Sequence, residues 1–82
     1  MDSIYLYPLA GETSIIEPTL YYVDVMMVKR EGVEYDIVST TPTGRQVQYI
    51  PAEAKLVFPV AFGGVVGADT LSNEILFVMY KL

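Results

Sequence analysis

Proline and glycine cut this chain into pieces that leave little room for a helical fold. They stand at Pro8, Gly11, Pro18, Gly32, Pro42, Gly44, Pro51, Pro59, Gly63, Gly64 and Gly67. The intervening runs are rich in Val, Ile, Tyr and Phe, the residues that suit a pleated, half-buried surface. No run carries a sustained apolar period of 3.6. Short β-type runs bounded by turn residues predict an all-β domain. We expect a compact antiparallel β-sandwich or barrel of about five to seven strands.

The run Thr19 to Lys29 places Tyr21, Val23, Val25 and Met27 on one face. After Arg30-Glu31-Gly32, Val33, Tyr35 and Ile37 alternate with Glu34 and Asp36, the pattern of a strand with one wet face. The two runs read as a hairpin. Gly32 suits either a two-residue loop or a three-residue loop with glycine in the left-handed position. The second is preferred, because it sets Met27 beside Tyr35 and Val25 beside Ile37 and keeps the apolar faces together. Arg45 to Ile50 reads as a strand with Val47 and Tyr49 inward, and Pro51 to Ala54 as one helical turn. Lys55 to Phe62 puts Leu56, Phe58, Val60 and Phe62 on one face, with Pro59 marking an edge or a bulge. Gly63 to Asn73 reads as a long loop, and Glu74 to Leu82 as the last strand. Residues 1–18 form an N-terminal arm or first strand, with Ile4 to Tyr7 extended. Residues 19–82 form the β-domain, and the whole is a single domain.

A chain of 82 residues buries only roughly 60–65% of its unfolded surface, so a second source of stability is expected. The chain has no cysteine and no histidine, which excludes disulfides and the commonest transition-metal ligands. Ten acids against five bases, mostly scattered, argue against nucleic acid and against an anionic membrane. Positions 1–10 carry Asp2 and Pro8 and no basic residue, unlike a secretory leader. The longest apolar stretch is far short of the roughly 20 residues a span requires.

Without histidine, Ser3, Ser14, Ser39 and Ser72 lack their usual general base, so no enzyme activity is expected. Glu34, Asp36 and Asp24 offer oxygen ligands to a hard cation, but no calcium-type loop accompanies them, and a solvated strand face accounts for them. Gly63-Gly64-Val65-Val66-Gly67 looks like a phosphate loop, but no helix follows it. No catalytic, cofactor or metal site is expected. The seven tyrosines are the least easily dismissed feature. Tyrosine gives large contact area at low entropy cost, as a core residue, a subunit contact or a glycan platform. Two exposed tyrosines in one groove would favour glycan, and buried ones would favour assembly.

From about Tyr21 onward the chain resembles the small β-sandwich modules of tailed-bacteriophage virion proteins, of fibre, neck or capsid-decoration type. The resemblance lies in the order of the strand cores: Lys29-Arg30, then Gly32-Val33-Glu34-Tyr35-Asp36, then Gly44-Arg45-Gln46-Val47-Gln48-Tyr49, Leu56-Val57-Phe58, and Glu74-Ile75-Leu76-Phe77-Val78-Met79-Tyr80-Lys81. It implies a non-enzymatic head or tail accessory that resides in the host cytoplasm before joining the virion. No functional residues carry over. The last strand adds a physical reason for assembly, because both its faces are apolar. Ile75, Phe77, Val78, Met79 and Tyr80 are therefore the expected interface, toward a homo-oligomer partner or a larger virion protein, with a glycan-binding or adhesin module as the alternative. No cofactor enters this reading. A first consequence is that EDTA leaves the thermal midpoint unchanged; a drop of several degrees, followed by circular dichroism, would reveal a structural metal.

Overall fold

Seven strands and two single 3-10 turns account for the regular structure of the chain, which a computed structural model describes over residues 1–82. The strands are β1 (Asp2–Leu6), β2 (Ser14–Ile16), β3 (Asp24–Arg30), β4 (Val33–Val38), β5 (Gln46–Ile50), β6 (Lys55–Val57) and β7 (Leu76–Lys81). The 3-10 turns cover Pro18–Leu20 and Pro51–Glu53. The strands join in one mixed sheet in the order β1-β7-β3-β4-β5-β6-β2, curled into a half-barrel. The radius of gyration is 11.8 Å, against the roughly 11.7 Å expected of a compact chain this long. Nothing extends away from the body.

The all-β expectation holds, and the details depart from it in three instructive places. The first is the hairpin. Arg30 pairs with Val33 and Val28 with Tyr35, leaving only Glu31 and Gly32 in the turn. Both have positive φ, 51° and 76°, the geometry of a type I′ turn. Met27 is therefore not beside Tyr35. The expected register failed because it assumed that Arg30 belongs to the turn. Arg30 instead ends the strand and points inward, and it is only 7% exposed.

The second departure lies within β3. Val25 pairs with Tyr80 and Met27 with Met79, so Met26 is an extra residue in a bulge. The bulge switches the alternation. Val25 faces the core before it and Val28 after it, while Met27 turns outward with Met79 as its cross-strand neighbour. Two adjacent methionines in a strand are thereby explained.

The third is that β4 and β5 run parallel, pairing Asp36 with Gln46, Ile37 with Val47 and Val38 with Gln48. All other pairs are antiparallel. The return from Ser39 to Arg45 doubles back beside β4 instead of folding over it. Pro42 is buried there and Gly44 has φ 58°. Asp36 N–H meets Arg45 O at 2.8 Å, which starts the pairing.

Residues 1–18 supply both free edges of the sheet: β1 lines β7, and β2 lines β6. Between them the chain crosses the end of the half-barrel, with Pro8 and Ala10 buried. The core cluster joins Leu6, Val28, Val47, Leu56, Leu76 and Val78 from the strands to Leu20, Phe58 and Phe62 from the connections. The expected strand from Lys55 to Phe62 stops at Val57. Phe58 and Phe62 turn into the core as a plug, while Val60 is 64% exposed. Tyr49 fixes the other connection. Its hydroxyl accepts Val23 N–H at 3.1 Å and lies 2.5 Å from Leu20 O and 3.0 Å from Val23 O, one of which takes its proton.

The turn geometry sets a stability expectation. A Cβ on Gly32 would meet nothing within 4 Å, so the only penalty for a side chain is backbone strain at positive φ. Gly32→Val should lower stability by about 1–2 kcal/mol, read from urea denaturation midpoints.

Candidate functional site

The end of the β3–β4 hairpin and the start of β7 are fastened by one ion pair, and the surface above it is the candidate site. Arg30 Nε donates to Glu74 Oε1 at 2.7 Å and Nη2 to Glu74 Oε2 at 2.9 Å. Nη1 donates to Val60 O at 2.7 Å, and Nη2 also donates to Ala61 O at 2.9 Å. Glu74 Oε2 also accepts Gly63 N–H at 2.6 Å. The guanidinium carbon lies 4.8 Å from the Phe62 ring centroid and 5.3 Å from that of Phe58, within cation–π range. The pair therefore holds the plug segment through three backbone groups and two rings. Every buried side-chain nitrogen and oxygen has a partner.

The hydrogen bond to Arg30 is the main cause that holds the Glu74 carboxyl below its ordinary value of 4.5, against the opposing effect of burial and with help from Gly63 N–H. The same bond raises the Arg30 guanidinium, again against burial. All of this pairing is directed inward, so it constructs the site rather than serving a ligand.

Above the pair, Glu31 and Ile75 extend the β3–β7 contact past the strands. Glu31 N–H donates to Ile75 O at 3.2 Å, and Ile75 N–H donates to the Glu31 carboxylate at 2.5 Å. That second bond fixes the Glu31 side chain over the turn. A shallow, open hollow of about 450 Å³ results, lined by Tyr5, Lys29, Glu31, Gly32, Ile75 and Phe77. It lies on the outer face of the sheet. Tyr5 pairs with Phe77, and Phe77 with Lys29, across β1, β7 and β3. The Tyr5 and Phe77 rings are 5.1 Å apart and tilted by 52°. The next row joins Ser3, Met79 and Met27. Lys29 makes no ion pair within 4.0 Å.

The five residues expected at an interface divide between the two faces of β7. Ile75 is 46% exposed at the hollow, and Phe77 and Met79 are half-buried on the outer face. Val78 is 0% exposed and belongs to the core cluster, against which Tyr80 packs. Val78 is thus out of reach of a partner, and Tyr80 faces inward. Period 2 places them there as soon as one face of β7 is assigned to the core. Tyr5, Lys29 and Glu31 were missed, since only the strand order brings them to β7.

The tyrosines divide as well. Tyr5, Tyr7, Tyr21 and Tyr22 are exposed, while Tyr35, Tyr49 and Tyr80 are half-buried against the core. Tyr5 is the sole tyrosine of the hollow described above; Tyr7 lines a separate one with Leu9, Ile15 and Ile16. Glu34 and Asp36 are exposed on β4, and no group of three His, Cys, Asp or Glu is placed to hold a metal ion. Gly63 to Gly67 leads into irregular chain and then β7, with no helix after it. No helix is long and apolar enough to cross a membrane. No family model, curated protein or solved structure matches the chain.

The ion pair gives a pH-dependent expectation. Because the folded Glu74 carboxyl ionises below 4.5, its contribution is fully present above that value and is lost as pH falls through the lower folded value. Glu74→Gln should cost about 3 kcal/mol at neutral pH, the lower end of the range for breaking a buried pair, since Glu74 keeps 17% of its side chain exposed. Urea midpoints measured from pH 7 to pH 3 should then fall less steeply in the variant than in the parent.

Proposed function

We propose that this chain is a non-enzymatic assembly module that docks on a larger protein through the outer face of β1, β7 and β3, as a head or tail accessory of a phage virion. The observation that carries the docking reading is the composition of that face. An outward sheet face ordinarily alternates polar residues with the core. Here, beside Ser3 and Lys29, it presents Tyr5, Ile75, Phe77, Met79, Met27 and the bulged Met26. Met26 is 52% exposed and Tyr5 60%. Methionine adapts its shape to a partner, and tyrosine brings area with a polar tip. The sheet beneath is rigidly held by the ion pair, so little order remains to be gained on docking.

The virion setting rests on the resemblance of the strand cores described above. The absence of histidine and cysteine supports a non-enzymatic role, and the charge of −5 disfavours nucleic acid and anionic membranes as partners. Tyr21 and Tyr22 stand exposed elsewhere with rings 4.7 Å apart but edge-on at 84°, and a glycan competing for this face would use the same hollow. It finds one tyrosine there, and the Tyr5 and Phe77 rings are tilted by 52° instead of forming a flat double platform. That favours a protein surface over a sugar.

The test uses the full chain, tagged and expressed in its own organism. Size-exclusion chromatography should place the wild type in a complex far above its 9.1 kDa, and Met26→Glu with Ile75→Glu should release it as a small species with unchanged circular dichroism. Elution of the wild type as a free small protein would overturn the reading. So would release by a soluble oligosaccharide, which would point to glycan.

A further inference from the structure

The two ends of the sheet are not protected alike. At one end β2 is only Ser14–Ile16. Glu12 and Glu17 flank it, and Pro18 follows at once. Short length, charges and proline are the devices by which proteins blunt a sheet edge against unwanted pairing. At the other end β1 runs for five residues with no proline, no bulge and one charge, Asp2, at its tip. Its inner neighbour is β7, and no strand of this chain lies on its outer side. An edge of that length leaves backbone N–H and C=O groups that only another extended strand satisfies in register.

We propose that the free edge of β1 pairs antiparallel with the β1 edge of a second copy across a two-fold axis, joining two half-barrel sheets into one. This rests on the assembly reading above and gives it a definite first partner. The axis lies at Ile4. Ile4 then faces its own copy on the inner side, apolar against apolar. On the outer side the small Ser3 faces Tyr5 of the other copy, so a large ring meets a gap. Such an isologous contact is self-complementary and closes at two subunits.

Charge does not oppose pairing at this edge. Each copy carries −5, and Glu31, Glu34 and Asp36 are exposed along the hairpin side of the outer face, where Lys29 faces Glu34 across the ladder. Edge pairing leaves these acids at the far side of each sheet. Asp2 and its copy then lie at opposite ends of the ladder, roughly 13 Å apart at about 3.4 Å per residue, beyond the screening length of about 8 Å at physiological salt.

The area is adequate as well. A specific interface needs roughly 500 Å² from each partner, about a tenth of the 4899 Å² this chain exposes. Tyr5 is 60% exposed within the strand, and Met1 and Tyr7 at its ends are 72% and 58% exposed. An aromatic side chain carries roughly 150–250 Å², so the two tyrosines alone offer roughly 200–300 Å². Met1, Asp2, Ser3 and the edge backbone supply the remainder. The outer faces of the two copies then form one broad surface, and docking through it becomes bivalent.

The test is light scattering of the purified full chain over a range of concentrations, with Ser3→Glu plus Tyr5→Glu. The wild type should be a dimer. The double substitution sets like charges opposite one another twice and should raise the dissociation constant at least about tenfold. Since the chain has no cysteine, single-cysteine variants give a second measurement independent of that variant's folding. Under mild oxidation, Ile4→Cys, the position that faces its own copy, should form a disulfide dimer efficiently, as should a mixture of Ser3→Cys and Tyr5→Cys chains, with Ile16→Cys on the other edge as the control. A wild type that stays monomeric at every concentration overturns the proposal, as does a dimer that crosslinks at Ile16 and not on β1. A monomer in pure form that still elutes in a large complex from its source overturns the edge pairing alone. A pure dimer that elutes from its source as nothing larger supports the edge pairing and overturns the docking reading.

Discussion

The bond between Arg30 and Glu74 decides where the plug of this half-barrel sits. A sheet this small curls around too little core to be closed by strands alone, and Phe58 and Phe62 complete it from an irregular segment. Residues 11–13 satisfy its ends, where Phe58 and Phe62 donate to Thr13 O and Glu12 O and Phe62 O accepts Gly11 N–H, but not the groups between and beyond them. Arg30 takes the carbonyls of Val60 and Ala61, and Glu74 takes the N–H of Gly63. Removing either side chain leaves the other charge and part of this backbone unpaired in a poorly hydrated place. That asymmetry explains why a buried pair of modest net worth matters for specifying one structure.

The same bond sets the hairpin. An arginine at the end of a strand ordinarily points to water, and reading Arg30 so gives a three-residue turn and the wrong partners for Tyr35. Once Arg30 is held inward by a residue 44 positions away, Val28 and Arg30 must share the inner face. The turn then contracts to Glu31 and Gly32. Glu31, a residue that tolerates positive φ poorly, is kept at 51° by its carboxylate on Ile75 N–H. One inward cation thus links turn type, register and the shape of the hollow on the opposite face.

What could be read in the chain follows from this. Alternation along Val33 to Val38, the glycine at 32, the helical turn after Pro51 and the long connection after Phe62 are local signals, and they locate β4, the hairpin, the turn and the loop before β7. The plug, by contrast, carries strand-like alternation and reads as the second half of a strand. The strand order is not local. Nothing in residues 1–18 announces that they provide both edges, so the neighbours of Phe77 could not be named from sequence, and Tyr5 and Lys29 were absent from the expected site. The bulge at Met26 hides in a run where every residue is apolar, because alternation cannot reveal a shift when both phases look alike. For the same reason β7 was read as a two-faced interface, whereas the structure commits Val78 and Tyr80 to the core and leaves Ile75, Phe77 and Met79 outward.

The case for a partner rests on the quality of the surface and not on its quantity. The chain exposes 4899 Å², close to the roughly 4,900 Å² that a free compact protein of 9.1 kDa presents. Area alone therefore requires no second chain. The distribution of apolar groups is what departs from the ordinary. Scattered exposed leucines or valines are normal on any monomer. On this sheet, methionines and aromatics stand in adjacent cross-strand rows and reach an edge that carries one charge, while acids collect along the hairpin and at the other edge. A chain under no demand to associate gains nothing from keeping its longest edge strand unblunted beside its most apolar face. Both features belong to one end of one sheet, and the proposed contact with other chains at that end would account for them together.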